Sequence, residues 1–101
     1  MWLMVMFDLP VVEKAERIAA VQFRNTLLDL GFEMTQFSVY MRFVQSQGEV
    51  DAYCKRVEVA LPEGGRVSIL GFTDKQYGRI QTYLGRSRGA LKKAPKQFDL
   101  F

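Results

Sequence analysis

The sequence predicts an α+β sandwich in which helices cover one face of a small sheet. Its 101 residues are enough for a single domain. Apolar runs that suit strands alternate with two stretches whose apolar residues recur at helical spacing. Apolar residues make up 49% of the chain and charged residues 25%, which is typical of a folded globular protein.

The first two elements are a buried strand and a helix. Trp2–Phe7 is continuously apolar, as expected of a strand buried on both faces. It stops at the turn signal Asp8-Leu9-Pro10. From Glu13 to Leu30 the apolar residues fall near one helical face, and Gly31 stands where a C-terminal cap belongs.

The segment Glu33–Val44 predicts a strand, because apolar and polar residues alternate along it. The alternation assigns Tyr40 and Arg42 to a polar face, where they either contact a backbone phosphate or lie in solvent. The residues assigned to the buried face are Phe37, Val39, Met41 and Phe43.

A second helix and a third strand follow. Ser46 and Glu49 have the spacing of a capping box, and Pro62 ends the helical pattern. Val67–Thr73 predicts a strand, and Tyr77–Leu84 a shorter strand or a helical turn.

This order fits a ferredoxin-like βαββαβ plan if Glu33–Val44 supplies two strands. The plan requires a turn near Gln36 or Phe37, and neither is a typical turn residue.

Two absences limit the chemistry. The chain has no histidine and one cysteine, Cys54. Serine–histidine triads, histidine-ligated zinc, CxxC sites and intrachain disulfides are therefore excluded. The chemistry must come from carboxylates, hydroxyls, lysine, arginine or a hard metal ion. A single cysteine fits a reducing, cytoplasmic setting, and no apolar segment reaches the roughly 20 residues needed to span a membrane.

Asp8 is the carboxylate best placed for chemistry, because it directly follows the buried first strand. Ligand-binding residues often lie at the carboxyl ends of strands, and oxygen ligands suit Mg²⁺ or another divalent cation. Such an ion activates water against a phosphodiester. The alternative is that Asp8 forms an Asx-turn or caps the next segment. The nearest acids, Glu13 and Glu16, lie in or beside the helix, so a metal site needs a second carboxylate, which a two-fold dimer would provide.

The net charge of +3 is unevenly distributed. Residues 1–74 carry seven Lys or Arg and ten acids, a net of −3, whereas residues 75–101 carry seven Lys or Arg and one acid, a net of +6. This pattern indicates either a polyanion-binding end or a solvated tail. The apolar Phe98–Phe101 then fits a short strand, added to a partner chain or paired within its own.

Several short motifs, taken in their order and spacing, resemble the small CRISPR-associated Cas2 family over nearly the whole chain. Their form is most similar to members from single-effector, type II loci. The motifs are Met4–Pro10 with its strand-end aspartate, Phe23-Arg24, Leu27–Phe32, the Gln-Phe-Ser-Val-Tyr of Gln36–Tyr40, and Thr73–Tyr77.

The resemblance implies a ferredoxin-like homodimer. Residues 1–84 would form the ferredoxin-like domain, and residues 85–101 a basic segment whose short last strand packs on the dimer partner. Asp8 would be the catalytic residue and a magnesium ligand, facing its mate across the two-fold axis.

The resemblance also implies a role in spacer acquisition, as a metal-dependent endonuclease acting on RNA or DNA. The alternative within the family is a non-catalytic scaffold that clamps duplex DNA and bridges copies of the CRISPR integrase. The candidate nucleic-acid contacts are Arg17 and Arg24 near the start of the first helix, together with Arg42, Arg79, Arg86, Arg88, Lys92 and Lys93.

Overall fold

A computed structural model describes residues 1–85. Its elements are β1 (Trp2–Asp8), α1 (Lys14–Asp29), β2 (Glu33–Gln36), β3 (Val39–Phe43), α2 (Gln47–Val59), β4 (Arg66–Phe72) and α3 (Asp74–Tyr77). The basic segment from Arg86 onward and the expected strand at Phe98–Phe101 lie outside the described residues.

The four strands form one antiparallel sheet in the order β2-β3-β1-β4. Helix α1 connects β1 to β2 across β3, and α2 connects β3 to β4 across β1. This is the ferredoxin-like βαββαβ arrangement, so the predicted α+β fold is confirmed. Within residues 1–85 no helix is long and apolar enough to cross a membrane.

The turn between β2 and β3 lies at Phe37 and Ser38. Ser38 has a φ of 63°, a left-handed conformation that sequence rules associate with Gly or Asn. Its carbonyl accepts a hydrogen bond from the Phe7 N–H at 3.0 Å, which ties the turn to β1. The register slips between Met34 and Gln36, and the Thr35 hydroxyl there donates to the Val39 carbonyl at 3.2 Å. The sequence carries no turn signal here, because serine rarely adopts the left-handed conformation that Ser38 has.

The core lies between the sheet and the helices α1 and α2. Leu3 and Val5 of β1 pack there against helix residues, including Phe23 and Val57. Tyr40 is also part of this core and is 1% exposed. Residues paired across strands share a face. Tyr40 pairs with Val5 and Arg42 pairs with Leu3, so Tyr40 and Arg42 lie on the helix side.

The predicted faces of β3 are therefore wrong, because its polar alternate positions point toward the helices. Val39, Met41 and Phe43 lie on the other side, which we call the open face: the sheet face away from α1 and α2. The alternation of polar and apolar residues indicates the wrong buried face, because the Tyr40 ring and the aliphatic stem of Arg42 can be buried just as apolar side chains are.

One end of the open face is covered by α3. The Tyr77 ring stacks on Trp2, with centroids 4.0 Å apart, and Phe43 meets Trp2 edge-on at 5.5 Å. Residues 80–84 then pass beside Met41, which is 6% exposed. The bounds predicted for the short element at Tyr77–Leu84 are wrong, because the helical turn is Asp74–Tyr77 and residues 78–84 form no helix or strand.

Both long helices begin as the sequence predicts. Ser46 is the N-cap of α2, and its hydroxyl accepts a hydrogen bond from the Glu49 N–H at 3.2 Å. At α1 the N-cap is Glu13, whose N–H donates to the Glu16 side chain at 2.8 Å.

Candidate functional site

Asp8 is the last residue of β1, and its side chain is exposed. It pairs with Arg66 across the β1–β4 ladder, just as Met6 pairs with Ser68 and Met4 with Leu70. Alternation along the strand puts Asp8 on the open face with Met4 and Met6. The carboxylate therefore lies at the end of a largely apolar sheet face.

Three turns meet around Asp8. The chain leaves β1 through Leu9-Pro10, the Phe37–Ser38 turn is joined to β1 at Phe7, and the Gly64-Gly65 loop leads into β4. Strand ends of this kind position side chains on a rigid support while leaving space for a ligand.

Gly65 is required by its contact with Asp8. Its φ is +86°, and a Cβ atom there would lie 2.5 Å from the Asp8 carbonyl oxygen. Only glycine fits this approach without a shift of the backbone. No local signal in the sequence marks which of the two neighbouring glycines, Gly64 or Gly65, makes this contact.

Replacing Gly65 by Ala should lower the free energy of unfolding by about 1–3 kcal/mol, because the left-handed backbone and the Asp8 carbonyl both oppose a Cβ. Gly64→Ala is the matched control, since its Cβ would lie 3.3 Å from the Pro10 ring. Urea unfolding of both variants tests this. Equal losses in the two variants would contradict the contact described here.

Within the described part of the chain, the Asp8 carboxylate makes no hydrogen bond and no ion pair. The Asx-turn and capping alternatives are therefore not realised among residues 1–85, and α1 is capped by Glu13 instead. The same residues contain no cluster of three or more Cys, Asp or Glu side chains that would hold a metal ion. A cation at Asp8 would thus meet fewer than three such side chains from one described domain.

Arg17 and Arg24 lie on exposed positions of α1. Arg17 Nη1 donates to the carbonyls of Val11 and Val12, at 3.2 and 2.7 Å, and so anchors the loop before the helix. Both arginines border a cavity of about 320 Å³ whose wall includes Tyr40. Burial raises the pKa of the Tyr40 phenol, and the nearby Arg24 charge partly offsets that rise.

Arg42 is half-buried on the helix side, and the prediction that it lies on a polar surface is wrong. Its Nη2 donates to the Tyr53 hydroxyl, and its guanidinium carbon lies 4.4 Å from the Tyr53 ring centroid. Cys54, next in α2, is a half-buried thiol whose pKa is raised by burial and secondarily by Asp51.

The remaining basic candidates lie toward the C-terminal end of the chain. Arg79 is exposed just after α3. Arg86, Arg88, Lys92 and Lys93 fall outside the described residues, so their contribution stays a prediction.

Comparison with known proteins identifies relatives over the whole chain. Residues 1–80 match the family model described as CRISPR associated protein Cas2. A protein of Paracidovorax avenae named CRISPR-associated endoribonuclease Cas2 is 63% identical over 101 residues, covering 100% of this chain and 94% of the relative. A protein of the same name from Flavobacterium psychrophilum is 40% identical, covering 100% and 88% of the two chains.

The fold also matches a solved structure, the crystal structure of Streptococcus pyogenes Cas2 at pH 6.5. The TM-score is 0.61 at 19% identity, and the match covers 82% of this chain and 99% of that one. At this identity the likeness shows the fold alone.

Proposed function

Because the chain belongs to the CRISPR-associated Cas2 family, we propose that it acts in spacer acquisition as a metal-dependent endonuclease with Asp8 as its catalytic metal ligand. The observation that carries the proposal is the exposed Asp8 carboxylate, which ends a central strand and has no partner among residues 1–85. The relatives' name, endoribonuclease, favours RNA phosphodiesters as substrates.

The metal proposed at Asp8 is Mg²⁺ or another divalent cation. A carboxylate oxygen is the ligand type that these ions take, and they commonly retain several waters beside one or two carboxylates. When bound, the ion would supply an activated water and neutralise charge on the phosphodiester. Asp8 would hold the ion, and the Gly65 contact would keep the Asp8 backbone in place.

The active unit proposed is a homodimer that uses the open face. Asp8 shares this face with Met4 and Met6, and Leu70 on the neighbouring strand is 50% exposed there. An exposed apolar surface favours association, and a two-fold axis close to Asp8 would bring two carboxylates to one ion. The dimer would therefore add a second Asp8 carboxylate to a site where one described domain offers fewer than three ligating side chains.

This function is tested by cleavage of single-stranded RNA and of duplex DNA with and without Mg²⁺, on wild-type protein and Asp8 variants. The account requires cleavage that depends on both the ion and Asp8.

A second function is favoured by the charge distribution: a DNA-binding scaffold that bridges copies of the CRISPR integrase in the cytoplasm. Residues 75–101 have a net charge of +6 beside a body of −3. A positive segment of this kind suits a phosphate backbone, and its contribution does not require chemistry at Asp8.

Neutralising Arg79, Arg86, Arg88, Lys92 and Lys93 together should weaken duplex binding and flatten its salt dependence. The slope of log K against log salt should fall by about 0.9 for each phosphate that the protein no longer neutralises. Binding measured over a salt series tests this. A slope equal to that of wild type would contradict a role for the basic segment.

A further inference from the structure

Two arginines lie against one tyrosine ring on the helix side of the domain. The guanidinium carbons of Arg42 and Arg56 lie 4.4 and 5.1 Å from the Tyr53 ring centroid. Phe32 meets the same ring edge-on, with centroids 6.2 Å apart. Tyr53 is thus packed against Phe32 and has two cations beside its ring.

The positive charges of this cluster are not neutralised within the described chain. In residues 1–85 the Met1 amino group forms an ion pair with Asp74, and neither Arg42 nor Arg56 takes part in one. Like charges gathered around one ring repel each other, and an anion bound between them would relieve this repulsion. The arrangement therefore favours a negatively charged ligand.

Arg42 is held in position by packing rather than by an acid. It uses one donor on the Tyr53 hydroxyl, while its Nε is enclosed and has no hydrogen-bond partner among the described atoms. Its Nη1 lies over Gly31, where a Cβ would come within 2.8 Å of it. Because Nε is sealed from solvent and Nη2 is engaged by the Tyr53 hydroxyl, Nη1 is the Arg42 donor left for a phosphate oxygen.

We propose that Arg42 and Arg56, organised by Tyr53, form a binding site for a backbone phosphate of a nucleic acid strand. The site is separate from Asp8: Arg42 pairs with Leu3, five residues before Asp8 on β1, which is about 17 Å along the strand. It also lies on the helix side, whereas Asp8 lies on the open face. The inference rests on the proposed nucleic-acid function and assigns it a second contact.

The test compares Arg56→Gln with Lys55→Gln in the intact protein. Both variants remove one positive charge from exposed, adjacent positions of α2, but neighbouring helix residues point in different directions. Binding of a short DNA duplex and of a single-stranded RNA is measured over a salt series. Arg56→Gln should lower the slope of log K against log salt by about 0.9 and weaken binding, whereas Lys55→Gln should change it less.

A second measurement detects the site without relying on affinity for a long ligand. Titration of inorganic phosphate into the wild-type protein, followed by backbone amide NMR, should shift the signals of Tyr53, Arg56 and Gly31. Arg56→Lys keeps the charge but loses the planar fork, so it should reduce these shifts.

The site is overturned if Arg56→Gln and Lys55→Gln have equal slopes, or if phosphate leaves the Tyr53 signals in place. Failure here is distinguishable from failure of the nuclease proposal, because cleavage that requires Asp8 would persist. Conversely, a phosphate site at Arg56 in a protein that cleaves without Asp8 would retain this inference and reject the catalytic one.

Discussion

Replacing Asp8 by Ala is expected to abolish Mg²⁺-dependent cleavage, with a loss of at least about 100-fold in rate because the metal's stabilisation of the transition state is worth several kcal/mol. Asp8→Asn should lose nearly as much, since the amide keeps the shape but not the charge. Folding should be unaffected, because the side chain is exposed and makes no hydrogen bond or ion pair within residues 1–85.

The matched control is Asp29→Ala, which removes another exposed carboxylate at the far end of α1. All proteins are purified in the same way, and cleavage is followed on single-stranded RNA and duplex DNA across Mg²⁺ concentrations. Cleavage by Asp8→Ala at the wild-type rate would reject the catalytic assignment. The scaffold function would be favoured instead by two results together: Asp8→Ala still binds duplex DNA and supports integration, and the wild-type protein shows no cleavage.

Replacing Leu70 by Glu should separate the dimer. Leu70 is half exposed on the open face, so a lone domain tolerates the change. In a two-fold dimer two new carboxylates would be buried in an apolar interface, each at a cost of about 2 kcal/mol or more, and each such cost weakens the dimer Kd by about 30-fold. Sedimentation over a concentration series measures this, and cleavage should fall with the dimer fraction.

Val59→Glu is the control for this variant. Val59 is 88% exposed at the end of α2, on the other side of the sheet from the open face. A Leu70→Glu protein that stays dimeric to the same extent as Val59→Glu would show that the open face is not the interface.

The order of elements could be predicted because each strand and helix carries its own local signal. The structure agrees with these signals: the apolar run at Trp2–Phe7 forms β1, Ser46 caps α2, and α2 ends before Pro62. Asp8 could be identified for the same reason, since a strand end is visible in the sequence. That its carboxylate has no partner within residues 1–85 follows only from the folded arrangement.

The remaining features depend on contacts between distant segments. The Ser38 turn carries no glycine, and its backbone is supported by the hydrogen bond from Phe7. Which face of β3 is buried depends on the cover provided by both α2 and α3, so alternation alone assigned Arg42 to the wrong side. The sequence does not mark Arg56, because Arg42, which contacts the same Tyr53 ring, comes from a distant strand.

The central claim is that two copies of Asp8 hold one divalent ion. Calorimetric titration of Mn²⁺ or Mg²⁺ into the purified protein measures the stoichiometry directly. The account predicts one ion for every two chains, with binding lost in Asp8→Ala and weakened in Leu70→Glu. One ion per chain, or binding that persists without Asp8, would contradict it.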